Sequence, residues 1–135
     1  MKIFIDANVL VDLIDSNRMN NEKVKKLFSI ILNNELFTSC DIVTTIYYLT
    51  RKVENNLDYV YHISNLCEII PFSNNDLFQT IKMMKENIKF KDLEDSIQYF
   101  LAQKVDVDFI ITNDKKFYSP NIKLLTIDLA LKEFI

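Results

Sequence analysis

No glycine occurs in the 135 residues of this chain. That absence removes the Walker phosphate loop, the G-x-G-x-x-G dinucleotide turn and the G-x-S-x-G nucleophile elbow, all of which need glycine where backbone turns tightly or approaches a ligand. Histidine occurs once, at His62, and cysteine twice, at Cys40 and Cys67, far apart. Those few ligands do not build a histidine/cysteine zinc site at the usual spacings, and a single imidazole gives poor material for a proton relay. The two prolines, Pro71 and Pro120, punctuate short apolar runs. No stretch approaches the roughly 18 apolar residues of a membrane span. Residues 1–12 hold only three consecutive apolar residues before Asp6, so no secretory leader is expected. Chemistry in such a chain falls to its carboxylates.

What is present is ordinary for a globular protein, 49% hydrophobic and 26% charged, which argues against disorder. A chain of this length is expected to form one domain over residues 1–135, burying about 70% of its unfolded surface and needing no disulfide or metal to fold. The net charge of −3 gives no basic field to recruit nucleic acid, which weighs against a stoichiometric DNA binder but not against an enzyme that clusters acids around metal ions. Cysteines without an evident partner point to a reducing cytoplasm.

Apolar spacing alternates β-rich runs with helical stripes. Strands are expected at 2–5, 36–39, 68–72, 108–112 and 124–127. Helices are expected at 8–14, 21–32, 41–53, 58–67, 75–86, 92–104 and from Asp128 onward. In the helix over 92–104, Leu93, Ile97, Phe100 and Leu101 form the core-facing stripe. This alternation predicts an α/β fold with a mainly parallel sheet covered on both faces.

Open parallel sheets bind ligands beyond the carboxyl ends of their strands. Asp6 follows the first strand, Asp114 lies two residues past Thr112 at the end of the fourth, and Asp95 falls in the first turn of the helix feeding that strand. Three acids distant in sequence can thus meet at one rim. Crowded carboxylates raise one another's pKa unless a cation compensates, and an all-oxygen ligand set suits Mg²⁺ or Mn²⁺. Metal-assisted phosphodiester hydrolysis is the reaction class that follows. Each acid also has a purely structural reading. Asp6 is well placed to cap the next helix. Asp92 and Asp95 have capping-box spacing, so Asp92 reads first as a cap and second as a further metal ligand. Asn113-Asp114 is good turn chemistry.

Ile3-Phe4-Ile5-Asp6-Ala7-Asn8-Val9-Leu10-Val11-Asp12-Leu13 resembles the opening motif of PIN-domain ribonucleases. Asp92-Leu93-Glu94-Asp95-Ser96-Ile97-Gln98-Tyr99 is similar to that family's helix with an internal metal-binding acid, and Ile110-Ile111-Thr112-Asn113-Asp114-Lys115-Lys116-Phe117 to its later strand-end motif. Order, spacing and length agree across nearly the whole chain. Thr45-Ile46-Tyr47-Tyr48-Leu49 further resembles a bacterial branch similar to VapC-type toxins. The resemblance implies a three-layer α/β/α sandwich and a metal-dependent endoribonuclease, with Asp6, Asp95 and Asp114 holding Mg²⁺ or Mn²⁺. It also implies an RNA substrate, an antitoxin partner and a homodimer. One departure stands out: where the family supplies an acid on the helix after the second strand, this chain reads Val43-Thr44-Thr45-Ile46-Tyr47. Asp92 or Glu94 is a candidate to replace that acid, and Thr44 or Thr45 a candidate to orient water. The alternative is a weak or inactive PIN-like domain that binds RNA or protein.

Lys82, Lys85 and Lys89 are expected on one helix face, as a solvated surface or a phosphate track, while Lys115 and Lys116 beside Asp114 are better placed to meet a substrate strand. Tyr47, Tyr48, Tyr59 and Tyr61 are candidates to stack bases or line a dimer contact but read first as the amphipathic edge of the core, His62 reads as structural, and both cysteines as small hydrophobes. A receiver-type signalling domain needs an acceptor Asp at the end of its central strand. The third strand, taken as central, ends Ile70-Pro71-Phe72-Ser73 without one.

Overall fold

The computed structural model describes residues Met1–Ile135. Five short strands form one parallel sheet in the order β3-β2-β1-β4-β5: β1 (Lys2–Ile5), β2 (Glu35–Ser39), β3 (Glu68–Ile70), β4 (Phe109–Ile111) and β5 (Lys123–Leu125). Seven helices cover it: α1 (Ala7–Ile14), α2 (Asn21–Ile31), α3 (Val43–Leu49), α4 (Asn56–Leu66), α5 (Asn74–Glu86), α6 (Leu93–Lys104) and α7 (Ile127–Phe134).

Strand periodicity divides the core in two. Side chains alternate across a strand, so Ile3 and Ile5 enter one cluster with Val9 and Leu10 of α1, Leu27 of α2, Ile46 of α3, Ile63 of α4 and Ala130 of α7. Phe4 enters the other with Ile97, Tyr99 and Leu101 of α6, against which Leu77 and Met84 of α5 pack. Both faces of the sheet are thus covered, giving the expected three-layer α/β/α sandwich. β1, buried from Ile3 to Ile5, lies at its centre.

Several boundaries differ from those the sequence pattern predicts. The helix expected over 41–53 is broken: Cys40–Ile42 is a 3₁₀ turn and α3 stops at Leu49, where the Thr50 hydroxyl donates to the Ile46 carbonyl at 2.8 Å. The β-branched residues Val43, Thr44, Thr45 and Ile46 favour helix weakly. β3 ends at Ile70 because Pro71 has no N–H for the ladder. It is an edge strand, not the central one. Leu93 is 46% exposed, and α6 instead buries Ser96, Gln98, Tyr99 and Ala102 as well as Ile97 and Leu101, because it is wedged between the sheet and α5. α5 ends at Glu86, so Lys89 lies beyond the face that carries Lys82 and Lys85.

Without glycine, the left-handed backbone positions fall to Asn55 (φ 60°) and Asp106 (φ 57°), residue types that tolerate them. No helix is long and apolar enough to cross a membrane.

Candidate active site

β1 passes directly into α1, and Asp6 is the joint. Its Oδ1 accepts from the Ala7 N–H at 2.7 Å, capping α1. Its Oδ2 accepts from the Thr112 hydroxyl at 2.7 Å and the Asn8 carboxamide at 3.3 Å. Thr112 Oγ1 in turn accepts from the Asp114 N–H at 3.0 Å, so one hydroxyl ties the end of β1 to the turn after β4. Asp114 closes that turn, accepting from the Lys116 N–H at 2.9 Å. Capping and lining the rim are therefore compatible for Asp6.

Asp92 caps α6 as its spacing predicts, accepting from the Asp95 N–H at 2.9 Å. The reciprocal bond of a capping box does not form, and the Asp95 carboxylate carries no hydrogen bond and no ion pair. One turn on, Gln98 is 1% exposed and its carboxamide faces Asp6, favouring the charged carboxylate from beyond close hydrogen-bond distance.

The electrostatics bind these residues into one site. Burial pushes the Asp95 carboxyl up to about 7, with Asp6, Asp92, Asp114 and Glu94 adding to the rise in that order. Burial also raises Asp6, against the Thr112 hydroxyl and Ala7 N–H that favour its charged form, and Asp114 raises it further. Glu94 is raised by desolvation, then by Asp41, Asp92 and Asp6. The ion pairs lie elsewhere, at Arg18–Asp12, Lys23–Asp128, Lys25–Glu22, Lys104–Asp76 and Lys123–Glu133. The acids ring a common space without three of them closing to ligating distance of one point, as unneutralised like charges tend to do. Their donor set is nonetheless one that a hard divalent cation fits: oxygen only and uncompensated by any basic side chain.

Beside Asp95 and Asp114 opens a cleft of about 770 Å³, lined also by Lys89, Lys91, Lys115 and Lys116. Thr44 is exposed and Thr45 half-buried on α3, and neither hydroxyl bonds to an acid of the site. The four tyrosines expected at the core edge are instead 45–65% exposed, because α3 and α4 bury little more than Ile46 and Ile63. His62 is exposed beside Tyr61. Cys67 is buried and its thiol pushed up to about 12 by burial, as a small hydrophobe should be. The sequence reading missed Gln98.

The PIN-domain family model matches residues 3–123. Ribonuclease VapC1 of Aquifex aeolicus (strain VF5) is 41% identical over 129 residues, spanning 93% of this chain and 90% of that protein. Among solved structures, the toxin VapC20 of Mycobacterium tuberculosis, which cleaves the sarcin–ricin loop, has a TM-score of 0.72 at 14% identity over 85% of this chain and 92% of its own. VapBC2 of Rickettsia felis, bound to a DNA fragment from its promoter, has a TM-score of 0.71 at 17% identity over 93% of this chain and 98% of its own.

Proposed function

Because the chain belongs to the PIN-domain family, we propose that it is a metal-dependent endoribonuclease, the toxin of a toxin–antitoxin pair. The observation that carries this reading is the meeting of Asp6, Asp95 and Asp114 at one rim, uncompensated by any basic side chain, beside a lysine-lined cleft. Kinship with a protein described as a ribonuclease over nearly the whole chain supports it.

In this reading Asp6, Asp95 and Asp114 hold Mg²⁺ or Mn²⁺, and Asp92, already engaged as a helix cap, lies at the margin. Bound there, the cation would lower the pKa of water and screen charge building on the phosphate. Thr112 keeps the Asp6 carboxylate fixed toward the rim and the Asp114 turn beside it. Lys115 and Lys116, next to Asp114, meet phosphates of the RNA strand, with Lys89 and Lys91 also lining the cleft. The free cysteines suit a reducing cytoplasm. Tyr47, Tyr48, Tyr59 and Tyr61 give an antitoxin or a second copy of the chain an aromatic surface to cover.

One observation favours the rival reading of an inactive RNA- or protein-binding module: α3 carries Thr44 and Thr45 but no carboxylate. A single experiment separates the two. Purified protein and Asp95→Asn are incubated with structured RNAs in Mn²⁺, Mg²⁺ or EDTA. Cleavage that needs the cation and falls by two or more orders of magnitude in the variant is expected. A metal-bound protein that cleaves none of the RNAs would support the module instead.

A further inference from the structure

Next to the lysine-lined cleft a second one opens between α5 and α6, of about 480 Å³, within the roughly 300–1,000 Å³ of small-ligand sites. Phe90 is a wall of both. Its ring stands edge-on to Tyr118 at 4.7 Å and tilted against Tyr99 at 5.4 Å, and the Asn87 carboxamide donates to the Tyr118 hydroxyl at 3.3 Å. The ridge between the clefts is therefore packed and tethered. Lys89 borders the first cleft and Lys82 the second, so a phosphate chain crossing the ridge from the rim meets an ammonium on each side.

The second cleft has a chemistry of its own. α5 brings Gln79, Met83 and Glu86 to it at i, i+4 and i+7, and α6 brings Phe100 and Gln103 at i and i+3. Tyr99, 1% exposed, closes the floor with its hydroxyl facing Asn121. Half-buried Phe100 supplies an apolar ring face, and the glutamines supply both donors and acceptors. Glu86 takes part in none of the ion pairs. An unneutralised carboxylate repels phosphate, but it accepts from the amino group of a base, as glutamate does from cytosine. Ring face, carboxamides and carboxylate together are what holds an unstacked base of a single strand.

We propose that this cleft is a nucleobase subsite, receiving a base of the RNA strand that crosses the rim. Glu86 and Gln103 select adenine, cytosine or guanine, which carry an exocyclic amino group, over uracil, which has none. The inference rests on reading the chain as a ribonuclease and adds to it a source of sequence preference. Phosphate contacts do not supply one, because they carry no sequence information.

The test measures fluorescence anisotropy of labelled oligo(A), oligo(C) and oligo(U), with the full-length protein held in Ca²⁺. The parent should bind oligo(A) and oligo(C) at least about fivefold more tightly than oligo(U), the discrimination of one good base contact. Glu86→Ala should keep RNA binding, since it removes a negative charge, while the preference falls to within about twofold. Gln103→Ala should weaken oligo(A) about fivefold. Both side chains are exposed, so the variants should melt with the parent. Equal tightening of all three oligonucleotides in Glu86→Ala, with their ratios kept, reveals simple repulsion and overturns the inference. A parent that binds all three alike overturns it too. In both cases the ribonuclease reading stands, provided that Lys115→Ala with Lys116→Ala weakens all three together. A parent that binds none of them overturns that reading and the inference with it.

Discussion

Asp95 is where fold and function pull in opposite directions. Its carboxyl, raised to about 7 in the folded protein, ionises near 4 when unfolded. Between those values the folded state holds a proton that the unfolded state has released, so this group's contribution to stability falls as pH rises through the interval. A divalent cation reverses the preference, because it binds the ionised form and competes with the proton. The expected outcome is a melting temperature in EDTA that drops from pH 5.5 to pH 8 relative to Asp95→Asn. Saturating Mn²⁺ should stabilise far more at pH 8, by about 2.7 kcal/mol at a hundredfold excess over Kd. Equal cation effects at the two pH values would remove Asp95 from the site. At this scale the sequence was partly legible. Asp6, Asp92, Asp95 and Asp114 stand where strand ends and capping patterns put them. Gln98 is three residues after Asp95, on the same helical face, but nothing in a sequence says that its carboxamide faces Asp6.

Among the elements, α5 and α6 owe their mutual register to a polar junction inside an otherwise apolar contact. Asp76 completes a capping box with Ser73 at the start of α5 and accepts from Lys104 Nζ at 2.9 Å, at the far end of α6. The Lys104 ammonium, then the Ser73 N–H, hold the Asp76 carboxyl below the usual carboxylate range. Its stabilising contribution is therefore complete above the unfolded carboxylate pKa and fades as pH falls through the lower folded one. Lys104 is half in solvent, so the ion pair alone adds little. The cap matters more, and Asp76→Ala should cost about 1 kcal/mol in urea unfolding at pH 7. That difference should shrink toward pH 3, and a pH-independent loss would count against the charge. Helix existence was legible from the apolar stripes, whereas helix length was not. α3 ends early because Thr50 diverts its hydroxyl to the backbone of Ile46, a competition that periodicity does not register.

At the scale of the molecule, a net charge of −3 conceals a local arrangement in which lysines flank the acidic rim. Lys115→Ala with Lys116→Ala should weaken RNA binding several-fold while leaving Mn²⁺ affinity intact. It should also flatten the salt dependence, each lost phosphate contact reducing the slope by a little under one. An unchanged slope, measured by filter binding in Ca²⁺, would place the RNA elsewhere. The layered architecture was legible because β1 alternates so sharply between the two cores. Strand order was not: the expected central place of β3 falls to β1, and β3 lies at the edge, since order depends on which crossovers pack and not on any local pattern.

The two edges of the sheet set how this molecule can meet others. β3 is three residues long and is stopped by Pro71, and β5 is three residues long and opens with exposed Lys123. Edges so short and so interrupted offer no template for an incoming strand. Recognition by β-augmentation is thereby closed to any partner, and association must proceed side chain against side chain over the helical layers. The sheet stays a fixed frame while its surroundings change company.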